Sequence, residues 1–307
     1  MISIYKRGEE DTYLKEESNF GPGSWVYAED PTDEELSDLA RRLNLEESLL
    51  KDGTDPYEVP RMETDNGSVY VFTRAPFDEG NRITTAPFLL VVGKDFVLTI
   101  SRHRLSSVKK LTARDSGIMT ADRVLMLTTI LSAIYRTYDT FLTNIRKSVR
   151  GVSYDMEKIT NQEIVQFVSF ENVINDFLSA LVPTNAIIAN FLSGKILPVS
   201  EDEKEKIEDL YLETGQLIEL SKSSLKAIVN IREATSTIMT NNLNRVMKML
   251  TALTIVLTVP TIISSFYGMN VARLPVADGP YAFWIILGGT VVISSFIIWV
   301  LNRNKWF

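Results

Sequence analysis

Cysteine is missing altogether from the 307 residues, and histidine occurs once, at His103. Disulfides and thiolate metal sites are therefore excluded. His103 stands between two arginines in "TISRHRL", a setting that disfavours a cation, and it reads as a partly exposed residue at a strand end. A phosphate-binding P-loop, a G-x-S-x-G elbow and a His-Glu metal motif are absent too, so no enzyme and no organic cofactor are expected. The opening "MISIYKRGEEDTY" has no apolar h-region, and no signal peptide is expected. What remains for metal chemistry is oxygen, which suits hard ions of the Mg2+ or Ca2+ kind.

Charge is unevenly spread. Residues 1–70 hold 18 acidic and 7 basic side chains, a net of −11, which leaves +4 on the rest of a chain whose total is −7. No nucleic-acid partner is expected. Two runs, 249–272 and 279–302, carry no charge over 24 residues each. About 20 apolar residues cross a bilayer core, so both runs are long enough. Arg245 and Lys248 precede the first, Arg303 and Lys305 follow the second, and the connection between them balances Arg273 against Asp278. By the distribution of basic residues both ends are expected on the cytoplasmic side of a cell membrane, with the large N-terminal part.

The first part reads as α/β. Thr32 three residues before Glu35 is a capping-box signal for a helix. Asn66-Gly67 between strand-like runs predicts a type I′ hairpin, and Gly93-Lys94-Asp95 marks a second turn in "APFLLVVGKDFVLTISR". A mixed sheet flanked by helices is the expected assembly. From about residue 120 the pattern turns helical, with a first helix ending near Gly151. A second helix follows Thr160, with Glu163 in the capping-box position and Pro183 as a kink point. A third starts at Ser200, with Glu203 three residues on, and meets no strong stop before Phe266. At about 1.5 Å per residue it is on the order of 100 Å long, too long for a bilayer alone. The acidic run "SEDEKEKIED" reads as its solvated start.

The expected organisation is a cytoplasmic α/β domain over 1–119, a helical hairpin over 120–199, and a stalk helix over 200–266 that becomes a membrane span at about 249–266. A loop over 267–280, a second span over 281–301 and a basic tail over 302–307 complete it.

Within the first span a hydroxyl recurs at Thr251, Thr254, Thr258, Thr261 and Ser265, spaced 3, 4, 3, 4. Extended backwards, the same spacing passes through Met247, Asn244, Thr240, Thr237 and Glu233. A 3.5-residue repeat holds one face toward a common axis when helices supercoil. Threonines in lipid also bond their own i−4 carbonyls and help helices pack, and that reading suffices for one or two of them. A polar seam of this length points instead to a hydrated axis. Two spans cannot enclose it, so several copies must associate.

The helix ends in "YGMN", Tyr267-Gly268-Met269-Asn270, between the striped span and the second one, and the chain closes on "KWF". Alone, Gly-x-Asn at a helix end is ordinary capping chemistry. In this setting the chain resembles the CorA family of divalent-cation channels. The likeness is strongest over 201–307 and continues through "DPYEVPRMETDNGSVYVF" and "GKDFVLTISR". The resemblance implies a funnel-shaped homopentamer in a lipid bilayer, with the first span lining a pore and the second outside it. It implies a selectivity filter of Gly268, Met269 and Asn270 around a hydrated ion. Below it would come pore positions Thr261, Thr258, Thr254, Leu250 and Met247, with Glu233 farther down. Leu250 departs from the strict seam by one residue, so the helix must rotate slightly there, and Met247 and Leu250 would form an apolar constriction. The resemblance also implies regulatory Mg2+ held between subunits by Asp78 and Asp209.

The expected function is passive, potential-driven passage of Mg2+, with Co2+ and Ni2+ as further ions. A zinc transporter of the same superfamily is the alternative. A membrane-anchored sensor or scaffold that conducts nothing is a different class, in which leucine would serve at the striped sites. One departure from the family pattern bears on ion choice. Many relatives carry Met-Pro-Glu-Leu in the outer loop, where this chain has Leu274-Pro275-Val276-Ala277 and then Asp278.

Overall fold

The computed structural model describes every residue except 9, 10, 81, 114, 115, 117, 154–158, 272, 273, 277, 305 and 307. The charges expected of Arg273 and Lys305 lie outside the described residues. The elements, in order, are β1 (Ile2–Lys6), β2 (Lys15–Glu17), β3 (Ser24–Glu29), α1 (Asp33–Leu43), α2 (Glu47–Asp52), β4 (Arg61–Asp65), β5 (Ser68–Asp78), β6 (Ile83–Val92) and β7 (Phe96–Ser101). Then come α3 (Ser106–Leu111), α4 (Arg123–Ser153), α5 (Asn161–Leu192), α6 (Glu201–Tyr267) and α7 (Ala282–Arg303). They divide into two compact units, Met1–Ile231 and Arg232–Phe307, and the division falls inside α6.

In the first unit the seven strands form one mixed sheet ordered β2-β1-β3-β7-β6-β5-β4, in which only β3 and β7 run parallel. The turns are set by local chemistry. Asn66 and Gly67 both have positive φ, 48° and 77°, and connect Asp65 to Ser68 across the two-residue loop. That is the geometry a type I′ turn demands. Three helices start as their sequences predict. Glu35, Glu163 and Glu203 each accept from the backbone N–H of the residue three earlier, at 2.9, 2.8 and 2.6 Å. Thr32, Thr160 and Ser200 accept in return.

The sheet is buried on both faces. Trp25 and Tyr27 of β3 point into a core built with α4 and α5, including Met126, Ile130, Tyr138 and Phe177. Val26 and Ala28, of opposite parity, enter a smaller core with Leu36, Leu39 and Leu50 of α1 and α2. α5 runs through Pro183 without interruption. The single histidine is half-buried just past β7, stacked on Phe77 with ring centroids 4.3 Å apart.

The second unit holds the part of α6 beyond Ile231, and α7. These two helices alone, among the described residues, are long and apolar enough to cross a membrane, and little of either apolar stretch is buried within the chain.

Candidate functional site

α6 carries the polar seam. Its hydroxyls do not point idly at open space: Thr251 donates to the Met247 carbonyl at 2.8 Å, Thr254 to Leu250 at 2.9 Å, Thr258 to Thr254 at 2.7 Å and Thr261 to Leu257 at 2.9 Å. Thr237 and Thr240 do the same lower down. The local bonding expected of isolated threonines is therefore present at every threonine of the seam. It has a chemical consequence. A hydroxyl has one proton and two lone pairs, and once the proton is committed to the helix only acceptor capacity remains outward. These threonines thus present oxygen atoms that accept from water and offer no proton to an anion.

Thr254, Leu257, Thr258, Thr261, Ser265 and Met269 line a hollow of ≈ 550 Å³ along this face. Leu250 and Met247, one and two turns below, are about half exposed on the chain's own surface (55% and 53%). Glu233 is exposed near the start of the second unit. Pro260 sits inside the helix and leaves the Val256 carbonyl without its usual donor.

At the end of α6 the backbone N–H of Gly268 is shared between the carbonyls of Ser264 (2.9 Å) and Ser265 (3.2 Å), and Met269 N–H reaches Phe266 at 3.3 Å. Gly268 is not among the residues with positive φ, so the left-handed glycine cap suggested by the sequence is not formed. A Cβ there would stand 3.3 Å from the Ser264 carbonyl oxygen, a tight approach that glycine avoids. Asn270 follows with an exposed side chain. One brace was not foreseen: the Tyr267 hydroxyl donates to the Pro275 carbonyl at 3.1 Å and ties the loop to the helix end. Val276 next to it has φ 66°, an uncommon conformation for a β-branched residue.

The remaining site residues lie in the first unit. Asp78 is the last residue of β5 and Asp209 lies in the third turn of α6, both exposed. Among the described residues no group of three or more acids or histidines converges to hold a metal within one chain.

A family model described as CorA-like Mg2+ transporter protein matches residues 22–303. The cobalt/magnesium transport protein CorA of Methanocaldococcus jannaschii is 27% identical over 289 residues, 92% of this chain and 90% of that one. The complete structure of the CorA magnesium transporter from the same organism superimposes with a TM-score of 0.86 at 23% identity, covering 100% and 99% of the two chains. A zinc transport protein ZntB from Pectobacterium carotovorum is 23% identical over 116 residues, 38% of this chain and 36% of that protein.

Proposed function

This chain belongs to the CorA-like Mg2+ transporter protein family, and from that premise we propose that it is a passive channel for Mg2+, with Co2+ and Ni2+ as further permeant ions. The observation that carries this reading is the row of acceptor-only oxygens on α6 at Thr254, Thr258 and Thr261, leading to Asn270. Mg2+ dehydrates reluctantly. Threonine oxygens and the Asn270 carbonyl can accept from its water shell without stripping it.

Several copies, five by family likeness, arrange their α6 helices around an axis, with α7 outside and both chain ends cytoplasmic. Gly268, Met269 and Asn270 form the outer filter, and Met247 and Leu250 the dewetting constriction, with Glu233 below. A divalent ion moving inward gains about 4.6 kcal/mol per 100 mV, twice the single-charge figure, so no energy-coupling site is needed. Asp78 and Asp209 of neighbouring copies bind regulatory Mg2+. Carboxylates brought together this way repel until an ion neutralises them, so emptying the sites loosens the ring and widens the constriction.

The zinc reading draws on the ZntB relative. Against it stand the lack of cysteine and a single histidine stacked on Phe77. Flux into proteoliposomes under an imposed potential separates the two, tested with Mg2+, Co2+, Ni2+ and Zn2+ on wild type and Asn270→Ala. Mg2+ uptake that the variant loses is expected. Zinc uptake without Mg2+ uptake, or an Asn270→Ala channel that carries Mg2+ at the wild-type rate, overturns the assignment.

A further inference from the structure

Just before its uncharged stretch begins at Met249, α6 carries Arg245 and Lys248, and the tail beyond α7 comes back to meet them. A pocket of ≈ 500 Å³ is lined there by Asn241, Asn244, Arg245, Met247, Lys248, Thr251 and Trp306. The tail is tied down by a bond from the Trp306 N–H to the Leu301 carbonyl at 3.1 Å. One turn back, the Arg303 guanidinium lies 5.5 Å from the Trp299 ring centroid.

Two features separate this pocket from an ordinary basic rim. The sequence has no acidic residue anywhere between Glu233 and Asp278, so the two cations converge on a concavity that their own span leaves without a counter-charge. And its two cations lie on the flank: at about 100° per residue, Arg245 and Lys248 are roughly 140° and 160° around the helix from Leu250, while Asn244, Met247 and Thr251 of the seam close the other side of the pocket. The lining sets a guanidinium fork and an ammonium beside two amides, which can donate or accept, an indole and a thioether. The Thr251 proton is already committed to Met247. Guanidinium and ammonium groups together select a phosphate, while an indole beside them suits the boundary between headgroup and hydrocarbon.

We propose that this pocket binds the phosphate headgroup of an anionic phospholipid, gripped by Arg245 and Lys248 and flanked by Trp306. The proposal rests on the reading of α6 and α7 as membrane spans with Leu250 toward the axis. A lipid is the favoured source of the phosphate because the pocket opens where the apolar stretch begins, and the leaflet concentrates anionic headgroups there. A zwitterionic headgroup would bring its own cation against Arg245 and Lys248.

The test uses the full-length protein, delipidated in neutral detergent, with bound lipid counted by native mass spectrometry during titration. Phosphatidylglycerol is compared with phosphatidylcholine, and inorganic phosphate forms a separate arm read by thermal protection. Wild type should retain phosphatidylglycerol in preference to phosphatidylcholine. Arg245→Gln/Lys248→Gln should bind it about thirty-fold more weakly, from roughly five-fold per basic residue near an anionic headgroup. Arg245→Lys/Lys248→Arg, which keeps both charges, should retain most of the binding and guards against misfolding in the first variant. Unchanged phosphatidylglycerol binding in the glutamine variant overturns the proposal. So does equal retention of the two lipids, or equal protection by inorganic phosphate at matched concentration. The readout needs no ion flux, so a protein that binds the lipid but carries no Mg2+ would sink the channel reading and leave this one standing.

Discussion

The hydroxyl of Thr258 donates to the carbonyl of Thr254 at 2.7 Å, and through that bond a side chain that looks like a helix-packing device becomes a one-sided acceptor. In an apolar segment an unbonded hydroxyl proton is costly. The helix supplies its partner, and both lone pairs of the oxygen stay available as acceptors.

Thr258→Val keeps the shape of the side chain and removes the acceptor. Mg2+ flux should fall at least five-fold, since one hydrogen bond is worth about 1 kcal/mol and every copy loses one. Thr258→Ser should retain most of the flux. Assembly, followed by size exclusion, should be unaffected in both; a valine variant that conducts normally would reduce the seam to local helix chemistry.

Thr254→Cys, Thr258→Cys and Thr261→Cys should each react with small water-soluble thiol reagents in membranes. Ile255→Cys and Ile263→Cys, on other faces of α6, should react more slowly. The natural chain has no cysteine, so background labelling is nil. Equal labelling of the two sets would remove the periodicity as a guide to the axis.

Asp78→Ala/Asp209→Ala should abolish inhibition of flux by internal Mg2+ while leaving flux at low internal Mg2+ intact. Millimolar-range Mg2+, roughly the range of weak carboxylate sites, is the condition to compare. Inhibition as strong as in wild type would remove this pair from the gating scheme without touching the channel itself.

The start of α5 should loosen in acid. The Thr160 N–H, bonded to the Glu163 carboxylate, holds its pKa below the usual value, with the Thr160 hydroxyl assisting. A carboxylate whose folded pKa is depressed stabilises the fold in full above its unfolded pKa and loses that contribution as pH falls through the folded value. Amide exchange in the first turn of α5 should therefore accelerate in that window. In Glu163→Gln, which can still accept in a capping box, the acceleration should disappear.

Much of this molecule is written in short stretches. The three capping boxes each need only four residues, and the Asn66-Gly67 turn needs two with positive φ, so both follow from local chemistry. The two spans follow from length and the absence of charge, and the seam on α6 from spacing along a single helix. None of these requires knowledge of a distant residue.

Other features depend on groups far apart in the chain, and only the tertiary structure decided them. β3 joins the sheet because Ser24–Glu29 can be buried on both faces beside β7, more than seventy residues later. With neither face in water, its pattern shows no clean polar alternation. Trp306 lines one pocket with Arg245 and Lys248, about sixty residues earlier, because where a tail comes to rest is set by what the folded helices leave uncovered. Spacing along a helix is a property of the sequence; proximity between elements is the outcome of burial, and burial is settled by the whole chain at once.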